Sequence, residues 1–396
     1  MRPTLLSDVV LADGRNVDIR IESGRIAAIT EASSTPPVTG DETHIECGGR
    51  LIAPSFCDGH IHLDKTFAGM PFVPHRRGTT VEARIEAEKE IRREMTVPVF
   101  DRGSHLLRRI IGLGTGTLRT HVDIDTEIGL ANLHEVLALK EAFAEMVDMQ
   151  VVAFPQSGIL RDPGVADLLS AALEEGATHV GGLDPVGIDG DMNAPLDVVF
   201  ALAERHGAGI DIHLHDGGGA GLAQLREIAR RTREAGLSGQ VVVSHAFALG
   251  DAHEIGPTVD ALAAGGVAIL TNGPGRALMP PVCALWEAGV PVLAGSDNIR
   301  DAWSPYGNGD MLKRAMVIGY RQGMNADDEL ALLFETITRH TPERLGFEAR
   351  GIVDGADADL VVIDTTEVQD AVADHPARPL VMKRGRIVAE NGVFAG

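Results

Sequence analysis

Ser55-Phe56-Cys57-Asp58-Gly59-His60-Ile61-His62-Leu63-Asp64-Lys65-Thr66 closes an apolar run that starts at Leu51. Leu51, Ile52, Phe56, Ile61 and Leu63 give that run the texture of a buried strand. Residues i and i+2 of a strand point to one side, so His60 and His62 aim together. Two converging imidazoles are half of a metal site. Taken alone, such a pair is more often only packed or solvated. The rest of the chain has to supply the other half.

Downstream, apolar strand-like runs alternate with helical patterns. Runs at 116–124, 149–156, 179–183, 209–215, 240–245, 267–272 and 291–297 are separated by helix-like segments at 132–146, 165–175, 195–206, 221–235 and 254–264. A charged helical pattern at 80–94 follows the histidine pair. Near-continuous apolar strands between helices indicate a parallel sheet covered on both faces. Counting the histidine strand there are eight, which fits a (β/α)₈ TIM-like barrel better than an open sheet.

Both ends of the chain read differently. Runs at 5–11, 17–21 and 25–29 are separated by Asp13-Gly14 and Ser23-Gly24, which are hairpin signals. The tail returns to strands at 359–363, 379–382 and 385–389, and Gly385-Arg386-Ile387 echoes Gly24-Arg25-Ile26. The expected organisation is a small β-sandwich domain formed by residues 1–52 and 347–396, around a barrel domain at 53–346.

Composition bounds the function. The 396 residues carry a net charge of −22, which argues against a nucleic-acid backbone or an anionic membrane surface as partner. Cys47, Cys57 and Cys283 form no Cys-x-x-Cys pair and no disulfide framework. The N-terminus shows no apolar signal-peptide core, and no 18-residue uncharged apolar run exists, so a cytoplasmic location is expected. The remaining partner class is a small molecule.

In a barrel the reactive groups lie at the C-terminal ends of the strands. Polar residues collect at those ends: His60, His62 and Lys65, then His121 and Asp123, Gln156, Asp184, His213 with His215 and Asp216, Ser244-His245, Asn272, and Asp297-Asn298. Any one of these histidines could be a satisfied core residue, and Asp297 could be a cap. Their shared position at one end of the barrel is what packing alone would not select. His60, His62, His213 and Asp297 offer three nitrogens and an oxygen to one divalent ion. Such an ion would lower the pKa of a bound water towards ~7. Asp297 could also accept the water proton, and His245 could orient the water or polarise the scissile group.

On Gly59-His60-Ile61-His62-Leu63-Asp64-Lys65-Thr66, Phe154-Pro155-Gln156-Ser157-Gly158-Ile159, Asp211-Ile212-His213, Ser244-His245-Ala246 and Gly295-Ser296-Asp297, the chain resembles the amidohydrolase superfamily in its cytosine-deaminase-like branch. The resemblance spans essentially the whole chain. It implies a metal-dependent deaminase that removes ammonia or an amine from a ring carbon of a small nitrogen heterocycle, of cytosine, creatinine, pterin or aminotriazine type. It also implies one zinc or iron ion, and it is compatible with a homo-oligomer. Binuclear relatives bridge two metals with a carboxylated lysine. No lysine lies between Lys140 and Lys313, so a mononuclear site is expected, and hydrolysis of a cyclic amide C–N bond becomes the secondary reading.

Two departures bear on the substrate. Asp216 stands where cytosine deaminase has a glutamate that shuttles protons, with His215 beside it; Asn298 stands where it has a second aspartate. Lys65, Gln156, Asp184, His215, His245 and Asn298 are instead similar to the active-site set of members that release an alkylamine from a hydroxylated triazine. The expected roles are ring contacts from Gln156, Lys65, Asp184 and Asn298, with His215 or Asp216 passing a proton to the departing amine.

Overall fold

The computed structural model describes residues 2–32, 42–76, 78–251, 254–275, 278–348 and 351–395. Parts of the expected terminal domain, Met1, 33–41 and Gly396 among them, lie outside the described residues. The strands, in chain order, are β1 (Thr4–Val10), β2 (Asn16–Glu22), β3 (Arg25–Glu31), β4 (Thr43–Pro54), β5 (Phe56–Ile61), β6 (Thr115–Asp123), β7 (Asp148–Phe154), β8 (His179–Leu183), β9 (Gly209–Leu214), β10 (Val241–His245), β11 (Ala268–Thr271), β12 (Val292–Ala294), β13 (Leu360–Ile363), β14 (Leu380–Lys383), β15 (Arg386–Glu390) and β16 (Val393–Phe394).

β5 to β12 pair in sequence order, each parallel to the next, as the alternation of apolar strands and helices predicts. The seam between β12 and β5 is a single parallel bridge, Ile61 to Asp297, with the Asp297 N–H donating to the His60 carbonyl at 2.6 Å. Gly295 makes that approach feasible, because a Cβ there would sit 2.7 Å from the His60 nitrogen. The result is a nearly closed eight-stranded barrel. All six residues of β5 and all nine of β6 are buried, as expected for strands covered on both faces.

A second sheet has the order β16-β15-β14-β13-β4-β1-β2-β3 and draws on both ends of the chain. The apolar run from Leu51 is therefore two strands rather than one. The Ser55 N–H still bonds the Asp359 carbonyl beside the terminal sheet, whereas the next N–H, that of Phe56, bonds Gly114 at the barrel. One hydrophobic run serves two sheets, and its single-strand appearance follows from burial on both sides of the switch.

Between β5 and β6 lie helix α1 (Val81–Glu94) and helix α2 (Val99–Gly112). Thr80 caps α1 by accepting from the Ala83 N–H, and α2 buries Leu106, Leu107, Ile110 and Ile111 against the barrel. Lys383 of β14 fastens the terminal sheet to the barrel. Its ammonium is buried and donates to the Gly116 carbonyl at 3.1 Å and to Asp148 and Asp359 at 2.6 Å each.

Candidate active site

The side chains at the C-terminal ends of the barrel strands face a cavity of about 950 Å³. Two of them, and Asp184 behind His215, owe their direction to unusual backbone. His245, Asp297 and Asp184 have φ of +73°, +59° and +32°, in the left-handed region that non-glycine residues rarely adopt. Such conformations cost of the order of 1–3 kcal/mol each and persist where the surroundings over-determine them, typically at functional sites.

His60, His213, His245 and Asp297 are all buried, and each offers a ligand atom within 4.8 Å of the others. His62 joins through two of them: its Nε2 lies 3.3 Å from His60 Nε2 and 3.3 Å from Asp297 Oδ1. The group of four that lie mutually within reach thus contains His245 in place of His62, and His62 adjoins it through His60 and Asp297. Both ring nitrogens of His213, and Nδ1 of His62 and of His245, have no hydrogen-bond partner although buried. Buried polar atoms are almost always paired. His213, unpaired at both nitrogens, lies among further imidazoles and a carboxylate, which are donor types that zinc or iron takes, so the residues fit a divalent ion.

Electrostatics favour the ligand forms. Burial, then neighbouring histidines, holds the His213 and His245 imidazoles well below the usual range, which keeps them neutral. Burial pushes the Asp297 carboxyl up, but the imidazoles of His60, His62 and His245 beside it outweigh this and hold it well below the usual carboxylate range. Asn272, at the end of β11, donates to Asp297 Oδ2 at 2.7 Å and fixes that carboxylate. A second group, His60, His121 and Asp211, also lies close together. The His60 and His121 rings are stacked at 3.9 Å and 25°, so their in-plane lone pairs do not meet, and this group does not fit an ion.

Around the cavity the other residues singled out by sequence take distinct places. His215 lines it, stacks on His245 at 4.4 Å, and binds Asp184 Oδ2 through Nδ1 at 2.7 Å. Burial alone would lower the His215 imidazole, but the Asp184 charge and hydrogen bond raise it, so the protonated form is favoured. Asp184 therefore reaches the cavity through His215. Asp216 turns away: its Oδ2 accepts from the Gly187 N–H and from Gln224, both at 2.9 Å. Asn298 faces the cavity with one amide hydrogen given to Asp301 at 2.7 Å.

Lys65 and Gln156 belong to a buried network that also holds Asp123, Glu88 and Trp303. Lys65 Nζ lies 2.9 Å from Asp123 and donates to Gln156 Oε1, while Gln156 Nε2 donates to Glu88 at 2.7 Å and to Asp123 at 3.2 Å. The amide of Gln156 is thus consumed within the protein, and Lys65 is the network's cation at the cavity wall. Burial would lower the Lys65 ammonium, but Asp123 and Glu88 raise it above its ordinary value. Burial pushes the Asp123 carboxyl well up, whereas Lys65, Trp303 and Gln156 keep Glu88 ionised. Trp303 donates through Nε1 to Glu88 and presents its ring to Lys65 at 5.9 Å and to Arg84 at 5.7 Å. Asn272, Glu88 and Trp303 are contacts that motif reading misses. Asn272 was visible as a polar strand end; Glu88 is one carboxylate on a heavily charged helix, and nothing in sequence marks it as the one facing inward.

The fold and site together define an amidohydrolase. The Amidohydrolase family model matches residues 43–389, and the chain belongs to that family of hydrolases acting on C–N bonds. It is similar to N-isopropylammelide isopropyl amidohydrolase of Pseudomonas sp. (strain ADP), with 33% identity over 95% of this chain and 94% of the relative. Among solved structures, the crystal structure of N-isopropylammelide isopropylaminohydrolase from Burkholderia multivorans ATCC 17616 matches with a TM-score of 0.95 and 40% identity over the full length of both chains. That of 5-methylcytosine deaminase from Klebsiella pneumoniae, liganded with 5-fluorocytosine, matches at a TM-score of 0.86 with 26% identity over 98% of this chain and 97% of the other.

Proposed function

We propose that this protein is a mononuclear aminohydrolase that releases ammonia or an amine from a ring carbon of a small nitrogen heterocycle. The observation that carries the reading is the convergence of His60, His213, His245 and Asp297 beside the His215–Asp184 pair, at the wall of one cavity. Zinc or iron is the ion proposed, held by His60, His62, His213 and Asp297, with His245 at the same point. When bound, it supplies a Lewis acid and water of lowered pKa. His215, kept protonated by Asp184, is aimed to give its proton to the departing nitrogen, which is otherwise a very poor leaving group. Lys65 offers a permanent positive charge to an oxygen on the ring, and Asn298 can donate to and accept from the same edge.

A hydroxylated triazine carrying an N-alkyl group is the first ring to test, because the relatives at 33% and 40% identity are named for N-isopropylammelide. A cytosine- or pterin-like ring losing ammonia is the second. Hydrolysis of a cyclic amide is separated from both by its product, a new carboxylate with no free amine. Among the described residues no helix is long and apolar enough to cross a membrane, and a cytoplasmic homo-oligomer is the assembly proposed.

The decisive experiment is a panel of N-alkylaminotriazines, aminopyrimidines, pterins and cyclic guanidines, followed for ammonia and primary amine on protein of measured metal content. Metal-saturated protein that frees no amine from any of them overturns the reading. His213→Ala is expected to lose the ion, and full retention removes His213 from the ligand set.

A further inference from the structure

We infer that Ser244, held by Asp211 and Arg119, fixes the tautomer of His60 so that its bare nitrogen is Nε2, the one facing the candidate ligands. The inference rests on the proposed role of His60 as a ligand and concerns a positioning chain that lies beneath it.

The chain is continuous and buried. His60 Nδ1 lies 2.9 Å from Ser244 Oγ, and Ser244 Oγ donates to Asp211 Oδ1 at 2.9 Å. The other oxygen of Asp211 accepts from Arg119 Nη1 at 2.9 Å. Arg119 is itself held by Gln150 at 3.0 and 2.8 Å and faces His179 at 2.9 Å. Arg119, Asp211 and Ser244 are at most 3% exposed, so water does not compete for these groups.

Proton counting sets the direction. A carboxylate paired with a guanidinium accepts and does not donate, and a serine hydroxyl has one hydrogen. That hydrogen goes to Asp211. Ser244 Oγ can then only accept from His60, so an imidazole with one proton carries it on Nδ1. Nε2 is left with its lone pair, 3.3 Å from His62 Nε2 and 3.5 Å from Asp297 Oδ1. A hydrogen bond at one ring nitrogen commonly selects the ligating nitrogen in this way.

Backbone conformation makes the arrangement feasible. Successive side chains of a strand point to opposite faces, yet Ser244 and His245 both reach the barrel interior. The φ of +73° at His245 and +45° at Ala246 breaks the alternation at the end of β10.

Two measurements test this. Zinc affinity of the metal-stripped chain, by competition with a chromophoric chelator, is expected to fall about 10- to 100-fold in Ser244→Ala. Far-UV circular dichroism of the stripped protein should stay unchanged while its melting temperature falls by only a few degrees for the lost buried bond, and Ser244→Thr should recover most of the affinity. Long-range ¹H–¹⁵N spectra of stripped, histidine-labelled wild type should show His60 with its proton on Nδ1, and Ser244→Ala should lose that preference. A Ser244→Ala chain that binds zinc as tightly as wild type, or a wild-type His60 with its proton on Nε2, overturns the inference. Wild type that binds no divalent ion overturns instead the reading of His60 as a ligand, and the tautomer measurement still stands.

Discussion

His215 and Asp216 are adjacent, both can carry a proton, and sequence leaves the choice between them open. Geometry separates them: His215 stacks on His245 at the cavity, whereas the Asp216 carboxylate is spent on Gly187 and Gln224. His215→Asn is expected to lower kcat by about 10²- to 10⁴-fold, the range for loss of a general acid. Asp216→Asn should change it by less than about threefold. The His215→Asn deficit should shrink for a ring halide, whose leaving group departs without a proton, and steady-state rates on amine and halide analogues check this. Equal deficits for both leaving groups would remove His215 from the proton-transfer role.

Helix α1 illustrates what an element contributes beyond its own stability. Most of its surface is charged and partly or wholly exposed, yet Glu88 turns inward and ties Gln156 to Trp303 across the cavity wall. Glu88→Gln removes the charge that faces Lys65 and that strengthens the bonds donated by Gln156 and Trp303, both at Oε2. Charge-assisted bonds contribute about 1.5–3 kcal/mol, so KM should rise about tenfold or more, with a smaller change in kcat. Steady-state kinetics measure this, and tryptophan emission should shift as Trp303 is released. The same element marks the limit of sequence reading. Helix α1 and the strand order of the barrel were legible because period and charge reveal them. Helix α2 was not anticipated, since Gly103 and Ser104 interrupt its first half and its apolar pairs 106–107 and 110–111 flank Arg108 and Arg109. The division of one apolar run into β4 and β5 was also invisible, because both halves are buried and only the hydrogen-bond partner changes at Ser55. The histidines and Asp297 were legible through spacing, whereas Glu88 and Trp303 act through tertiary contacts that leave no local pattern.

Across the whole molecule, the terminal sheet and the barrel are joined by a buried ammonium rather than by apolar contact alone. Burial raises the Asp148 carboxyl, but Lys383 and Arg384 more than offset this and hold it below its ordinary value. A depressed carboxyl contributes stability that is present above its unfolded pKa and lost as pH falls through the folded one. This contribution should therefore fade below about pH 4. Lys383→Met should destabilise the chain by about 2 kcal/mol at pH 7, less than for a wholly buried pair because Asp148 and Asp359 keep part of their surface in water. Urea unfolding at pH 7 and pH 3.5 checks both points: the difference between wild type and Lys383→Met should narrow at the lower pH.

The bridge between Ile61 and Asp297 has a mechanical consequence. Seven of the eight strand neighbours in the barrel are joined by ladders, and the eighth by this one contact, with candidate ligands on both sides of it. An ion shared by His60 and Asp297 would act as a clasp across the weakest joint of the cylinder. Withdrawing it with a chelator should accelerate deuterium uptake at the Asp297 amide, whose proton is held by His60, while amides in the β6–β7 ladder keep their protection. Uptake at Asp297 that is indifferent to the ion would mean that the barrel holds its own seam.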